Sequence, residues 1–195
     1  MQRDIIAALL PEAAIARRFL FPAVLLLALA GEASAAELFG KVVAIADGDT
    51  VTVLDESFQQ HKIRLSGIDA PERRQSYGER AKQHLFALAY HKAVRVVWMK
   101  RDRYRRIVGR VFVGDCGRFG CRYAQDAGLE QIKAGLAWHY KQYVRDQSPA
   151  ERAAYAAFEL QARKHREGLW QEAAPVPPWE FRSASISSRH SPGGE

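Results

Sequence analysis

The stretch Arg64-Leu65-Ser66-Gly67-Ile68-Asp69-Ala70-Pro71-Glu72 places an arginine and two carboxylates close together at the end of an apolar run. Two further carboxylates precede it in Asp47-Gly48-Asp49-Thr50, and a second candidate arginine, Arg106, follows in Asp102-Arg103-Tyr104-Arg105-Arg106. Carboxylates hold hard cations and polarise water. Guanidinium groups grip phosphoryl oxygens and stabilise the charge that builds on them in a transition state. Together these residues describe a metal-assisted phosphodiesterase.

The same residues resemble the thermonuclease family, the secreted staphylococcal-nuclease-like enzymes. The family pattern is D-G-D-T, then R-x-x-x-x-D-[TA]-P-E, then D-[KR]-Y-G-R. All three motifs occur here in order, and the likeness runs from about Glu37 to Trp170. The resemblance implies Asp49, Asp69 and the main-chain carbonyl of Ala70 as Ca²⁺ ligands, with Asp47 behind them as an outer or occasional ligand. It implies Glu72 as the base that orients or deprotonates the attacking water, and Arg64 and Arg106 as phosphate clamps. It adds Tyr140 and Tyr143 as nucleotide-binding candidates, and Arg103 in the basic run is a further one. One position departs from the pattern: Arg105 stands where the family has glycine, which would reshape that turn. Ala70, within the pattern, stands where some members have threonine.

Each residue also has a plainer reading. Asp47-Gly48 is a common hairpin pair. Glutamates such as Glu72 are mostly exposed. An arginine on a strand, as Arg64 would be, is ordinarily a surface residue. Arg106 has Arg105 as its rival within a basic run. His139 stands among aromatics and is read as structural, and Trp138 as core. All the proposed metal donors are oxygens, which suits Ca²⁺ or Mg²⁺.

Five β-rich runs must carry these groups: residues 38–45, 51–54, 61–68, 94–99 and 107–113. Three helices fit between and after them, at 77–91, 126–134 and from Ser148 to Glu167. Ser76-Tyr77-Gly78-Glu79 and Ser148-Pro149-Ala150-Glu151 read as capping boxes, and Gly168 as the stop. Short strands with interleaved helices suggest an α+β fold, a small five-stranded OB-type Greek-key β-barrel with three helices. The resemblance implies the same fold. Trp179 and Phe181 are expected to dock back after a proline-rich stretch, and residues 183–195 to be disordered.

Arg17-Arg18, an apolar run over residues 19–30 and Ala33-Ser34-Ala35 make residues 1–35 a secretory signal peptide. That leaves 36–182 as a single nuclease domain. Arg3, Arg17 and Arg18 cancel Asp4, Glu12 and Glu32, so the formal charge of +7 stays on the mature chain. A small basic exported domain favours polyanions. Cys116 and Cys121, an even pair in an exported chain, read as a disulfide.

The sequence thus describes an exported, Ca²⁺-dependent, monomeric nuclease, periplasmic or secreted. It would cleave DNA and RNA, single-stranded or breathing, with little sequence preference. By resemblance its products would be 3′-phosphorylated. The rivals are a non-catalytic nucleic-acid-binding module on the same fold, which typically lacks these arginines and acids, and a membrane-anchored nucleic-acid scavenger.

Overall fold

The computed structural model describes residues 35–187. The expected signal peptide up to Ser34 and the tail from Ser188 lie outside the described residues.

The chain builds strands β1 (Ala36–Ile45), β2 (Thr50–Asp55) and β3 (Gln60–Leu65) as a meander, then a two-residue strand β4 (Ile68–Asp69). Helix α1 (Gly78–Ala89) leads into β5 (Ala93–Arg101), β6 (Ile107–Gly117) and β7 (Gly120–Asp126). Helix α2 (Ala127–Lys133), strand β8 (Trp138–His139), helix α3 (Pro149–Lys164) and helix α4 (Pro178–Ser187) follow.

The main sheet runs β3-β2-β1-β5-β6-β7, and a parallel pairing of β3 with β6 closes its first five strands into a barrel. Closure removes the exposed strand edges that an open sheet would carry. Alternation supplies the core: Val51, Val53, Ile63, Leu65, Val94, Val96, Ile107 and Val111 point inward and are almost wholly buried. Ala81, Leu85 and Ala89 of α1 belong to the same core. The five barrel strands fall on the five expected runs, and the fold is the expected α+β OB-type barrel.

The differences have local causes. The expected strand over 61–68 breaks after Leu65. Gly67 takes φ 76°, a left-handed turn that favours glycine, and β4 pairs with β8 instead. Arg64 and Asp69 therefore lie on different sheets. Strand β7 was not expected because it is an exposed ribbon with almost no apolar alternation, held by its ladder to β6.

Helix α1 has no capping box. Tyr77 is its N-cap at φ 64° without a side-chain bond, and Ser76 Oγ donates instead to Glu172. The box at Ser148 and Glu151 does form on α3. That helix ends at Lys164, before the expected Gly168, and the chain turns left-handed at Arg166. Trp179 docks as expected, against Trp138. It does so on a fourth helix, α4, which continues through Ser187 into the stretch expected to be disordered.

Candidate active site

The β1–β2 turn carries the first acids. Asp49 N–H donates to Asp47 Oδ1 at 3.1 Å, which shapes the turn. Gly48 is required by packing, since a Cβ there would lie 2.6 Å from Ala81 Cβ and 2.7 Å from Ala70 Cβ. Gln131 on α2, fully buried, donates to Gly48 O at 2.6 Å and to Ala81 O at 2.9 Å. The turn is thus pinned between α1, α2 and the segment after β4.

Arg64 projects from β3 toward two buried carboxylates. Its Nη1 lies 2.7 Å from Asp49 Oδ2 and its Nη2 lies 2.8 Å from Asp69 Oδ1. Nη1 also donates to the Ile68 carbonyl at 3.1 Å. Asp49 and Asp69 are 6% and 1% exposed, so each negative charge needs a partner, and Arg64 is shared by both. The plain surface reading of Arg64 is therefore excluded. Burial alone would lower the Arg64 pKa, but Asp49 and Asp69 outweigh it and hold the guanidinium more firmly charged than usual. Asp47 is pushed up to about 6, first by burial and then by the neighbouring charge of Asp49. Burial also raises Asp69, more than Arg182 and Arg64 pull it down.

Glu72 follows Pro71 on the same segment. Its N–H donates to Gln75 Oε1 at 3.1 Å, and its carbonyl accepts from Gln75 N–H at 2.7 Å. The side chain is half-exposed and paired with Arg182, whose Nη1 lies 2.7 Å from Glu72 Oε1. Arg182 Nη2 also lies 2.7 Å from Asp69 Oδ2. Sequence reasoning missed Arg182: it follows the proline-rich stretch, outside the motifs, and nothing in its spacing ties it to Asp69.

Arg106 opens β6. The parallel ladder pairs Ile63 with Ile107 and Arg64 with Val108. Paired residues share a face and alternate residues return to it, so Arg64 and Arg106 stand on the same side of the sheet. Strand spacing puts their Cα atoms roughly 8 Å apart. The side chain of Arg106 is held by Asp102, whose Oδ2 accepts from Arg106 Nε at 2.7 Å. Burial would raise the Asp102 carboxyl, but the bonds from Arg106 outweigh it and hold Asp102 below the usual carboxylate range.

Arg105 answers the question its residue type raised. It adopts φ 63°, the left-handed conformation that glycine favours. The turn keeps a glycine-like backbone, with Arg105 N–H donating to Asp102 O at 2.9 Å, so the expected reshaping does not follow.

Tyr140 lies beside the acids, since its N–H donates to Gly67 O at 2.9 Å next to the β4–β8 pair. Its ring packs edge-on to Tyr143 at 5.5 Å and tilted against Trp179 at 5.5 Å. Tyr143 is half-exposed, with Lys100 Nζ 4.9 Å over its ring. Arg103 is exposed and stacks on Tyr104 in the β5–β6 turn. A cleft of about 360 Å³ opens between Trp138, Tyr140, Lys141, Arg163 and Trp179. His139 is buried, bonds Gln147 Oε1 through Nε2 at 2.9 Å, and packs on Tyr155, as a structural histidine does. Cys116 and Cys121 face each other across the β6–β7 hairpin and form the expected disulfide.

Among the described residues no three histidine, cysteine or acidic side chains are clustered in a metal-holding group. The donors still fit a hard cation. Asp49 and Asp69 offer buried carboxylate oxygens that already take positive partners, Arg64 for both and Arg182 for Asp69, as oxygens suited to a hard cation would.

The barrel thus gathers Asp49, Asp69 and Arg64 in one buried cluster, with the Glu72 carboxylate joined to it through Arg182. A family model described as "Staphylococcal nuclease homologue" matches residues 62–172. An "Uncharacterized endonuclease" of Escherichia coli is 37% identical over 147 residues, covering 75% of this chain and 86% of the relative. The "Micrococcal nuclease" of Shigella flexneri is 36% identical over 150 residues, 77% of this chain and 83% of the relative. "Staphylococcal-like nuclease CAN1" of Arabidopsis thaliana is 36% identical over 124 residues, 64% of this chain and 34% of the relative. The chain belongs to the staphylococcal nuclease family and is a nuclease, a hydrolase of nucleic acids.

Proposed function

We propose that this nuclease is exported, depends on Ca²⁺, and hydrolyses both DNA and RNA with little sequence preference, leaving 3′-phosphorylated ends. The observation that carries the reading is the junction at Asp69. Its carboxylate contacts Arg64 on one side and shares Arg182 with Glu72 on the other. A phosphate gripper and a cation-binding acid thus touch directly, and the water-activating carboxylate is joined to them through Arg182.

Asp49 and Asp69 would hold the cation, with Asp47 and the main chain at Ala70 close by. When bound, the cation would neutralise phosphoryl charge and help order the attacking water. Glu72 orients that water and accepts its proton. Arg64, and Arg106 from the same sheet face, take the phosphoryl oxygens, whose growing charge two planar guanidiniums meet from two sides. Tyr140 and Tyr143 offer a face on which any base stacks, worth ~1–3 kcal/mol per base. None of these contacts reads base edges, which fits low sequence preference.

The disulfide supports an oxidising compartment, in keeping with the leader-like N-terminal run. Digestion of single- and double-stranded DNA and of RNA by the purified protein, in Ca²⁺ and in chelator, tests the chemistry. Full cleavage in chelator removes the cation, and 5′-phosphorylated products remove the assigned bond. N-terminal sequencing of protein recovered outside the cytoplasm tests export.

A further inference from the structure

Helix α4 reaches the site from beyond the segment that matches the family. Its Arg182 side chain is half-exposed but fully committed. Nη2 lies 2.7 Å from Asp69 Oδ2, Nη1 lies 3.3 Å from Asp69 Oδ1, and Nη1 lies 2.7 Å from Glu72 Oε1. One turn earlier, Trp179 covers Tyr140 at 5.5 Å and Trp138 at 5.6 Å. The same short helix therefore lays a positive group on the acids and an aromatic ring on the aromatic wall.

We propose that α4 is a built-in competitor: Arg182 is a tethered cation that a divalent cation must displace from Asp69 and Glu72 before the site can work. This rests on the reading of Asp69 as a cation ligand and Glu72 as the base. The two Asp69 oxygens and the Glu72 Oε1 that Arg182 occupies are needed for those roles. A guanidinium bridging them neutralises the same charge and blocks the same space.

The seat of α4 is suited to release. Clefts of about 360 and 200 Å³ flank it, the first bordered by Trp179 and the second by Phe181. Both clefts are open to solvent, so α4 has few packing partners on those sides. Pro175 and Pro177 lie in the irregular linker between the single turn Gly168–Gln171 and α4, so α4 is not continuous with any barrel strand or barrel helix.

A competitor that holds the site nine-tenths of the time weakens apparent cation affinity about tenfold. Titration calorimetry of the full chain with Ca²⁺ should show Arg182→Ala binding about tenfold more tightly than wild type. Arg182→Lys, which keeps the charge without the fork, should fall between them. Hydrogen exchange on the wild-type protein needs no variant: α4 amides should exchange faster when Ca²⁺ is added. Unchanged or weaker Ca²⁺ binding in Arg182→Ala, or an α4 that Ca²⁺ protects, overturns the proposal. If that happens while cleavage stays chelator-sensitive, only the competition fails. If neither form binds Ca²⁺ and cleavage survives chelator, the cation reading fails and the competition with it.

Discussion

The main-chain N–H of Ala70 donates to Asp49 Oδ2 at 3.0 Å. This bond joins two segments far apart in sequence, and Arg64 bridges the same two segments through Asp49 and Asp69. The acids are therefore fixed by backbone and side chain together. The alanine that replaces threonine keeps the contact, because the contact is made by the main chain.

Arg64 and Arg106 should separate when each is changed to lysine. Both variants should lose most turnover, since an ammonium cannot form a two-pronged grip on a phosphoryl group. Arg64→Lys should also cost stability, up to about 3 kcal/mol, because one ammonium cannot span the buried carboxylates of Asp49 and Asp69 as the guanidinium does. Arg106→Lys weakens a partly exposed pair within one turn and should cost no more than about 1 kcal/mol. Urea denaturation beside single-turnover kinetics distinguishes the two. Equal stability losses would mean that Arg64 is not the internal counter-ion its geometry implies.

Much of this was legible in the sequence because motif residues sit in rigid places. The barrel strands alternate, so their runs were visible, and Arg64, Asp69 and Glu72 fall within one nine-residue window. What stayed hidden was set by tertiary partners. Strand β7 has little apolar pattern of its own and exists through its ladder to β6. The split at Gly67 depends on β8 being available to pair with Ile68 and Asp69. Arg182 is one of many arginines in a basic chain, and only the folded distances connect it to Asp69.

Glu72→Gln should abolish most turnover and leave the fold intact. Its pair with Arg182 is half-exposed, so the stability change should stay within about 1 kcal/mol. The amide can still accept a bond from water but cannot take its proton. Wild-type turnover in this variant would remove Glu72 from the mechanism.

Arg105→Gly should stabilise the protein. The left-handed φ of 63° is strained for arginine by about 1 kcal/mol and natural for glycine. Greater freedom of glycine in the unfolded chain offsets part of that gain. The expected net is a small rise in melting temperature with turnover kept, because Arg106 and not Arg105 stands on the sheet face of Arg64. A loss of turnover comparable to that of Arg106→Lys would show that the catalytic register is displaced by one residue.

Reduction of Cys116–Cys121 should cost at most about 2 kcal/mol, since the closed loop is short. The bridge sits at the tip of the β6–β7 hairpin, where Phe119 is fully exposed. Activity of the reduced protein at moderate temperature should be unchanged. Two free thiols in protein isolated under non-reducing conditions would count against the bridge.

The turn that holds Arg106 should be indifferent to pH across the neutral range. Asp102 accepts from Arg106 Nε at 2.7 Å and from the main-chain N–H groups of Tyr104 and Arg106, both at 2.9 Å. These bonds keep its folded pKa below the ordinary 3.8 despite the opposing effect of burial. A carboxylate with a depressed folded pKa stabilises the fold fully above its unfolded value, and the contribution fades as pH falls through the folded one. The melting-temperature difference between wild type and Asp102→Asn should therefore be constant from about pH 5 to 8 and shrink below about pH 4. A difference that already declines between pH 7 and 5 would mean that Asp102 titrates in that range and that its grip on Arg106 is weaker than the geometry shows.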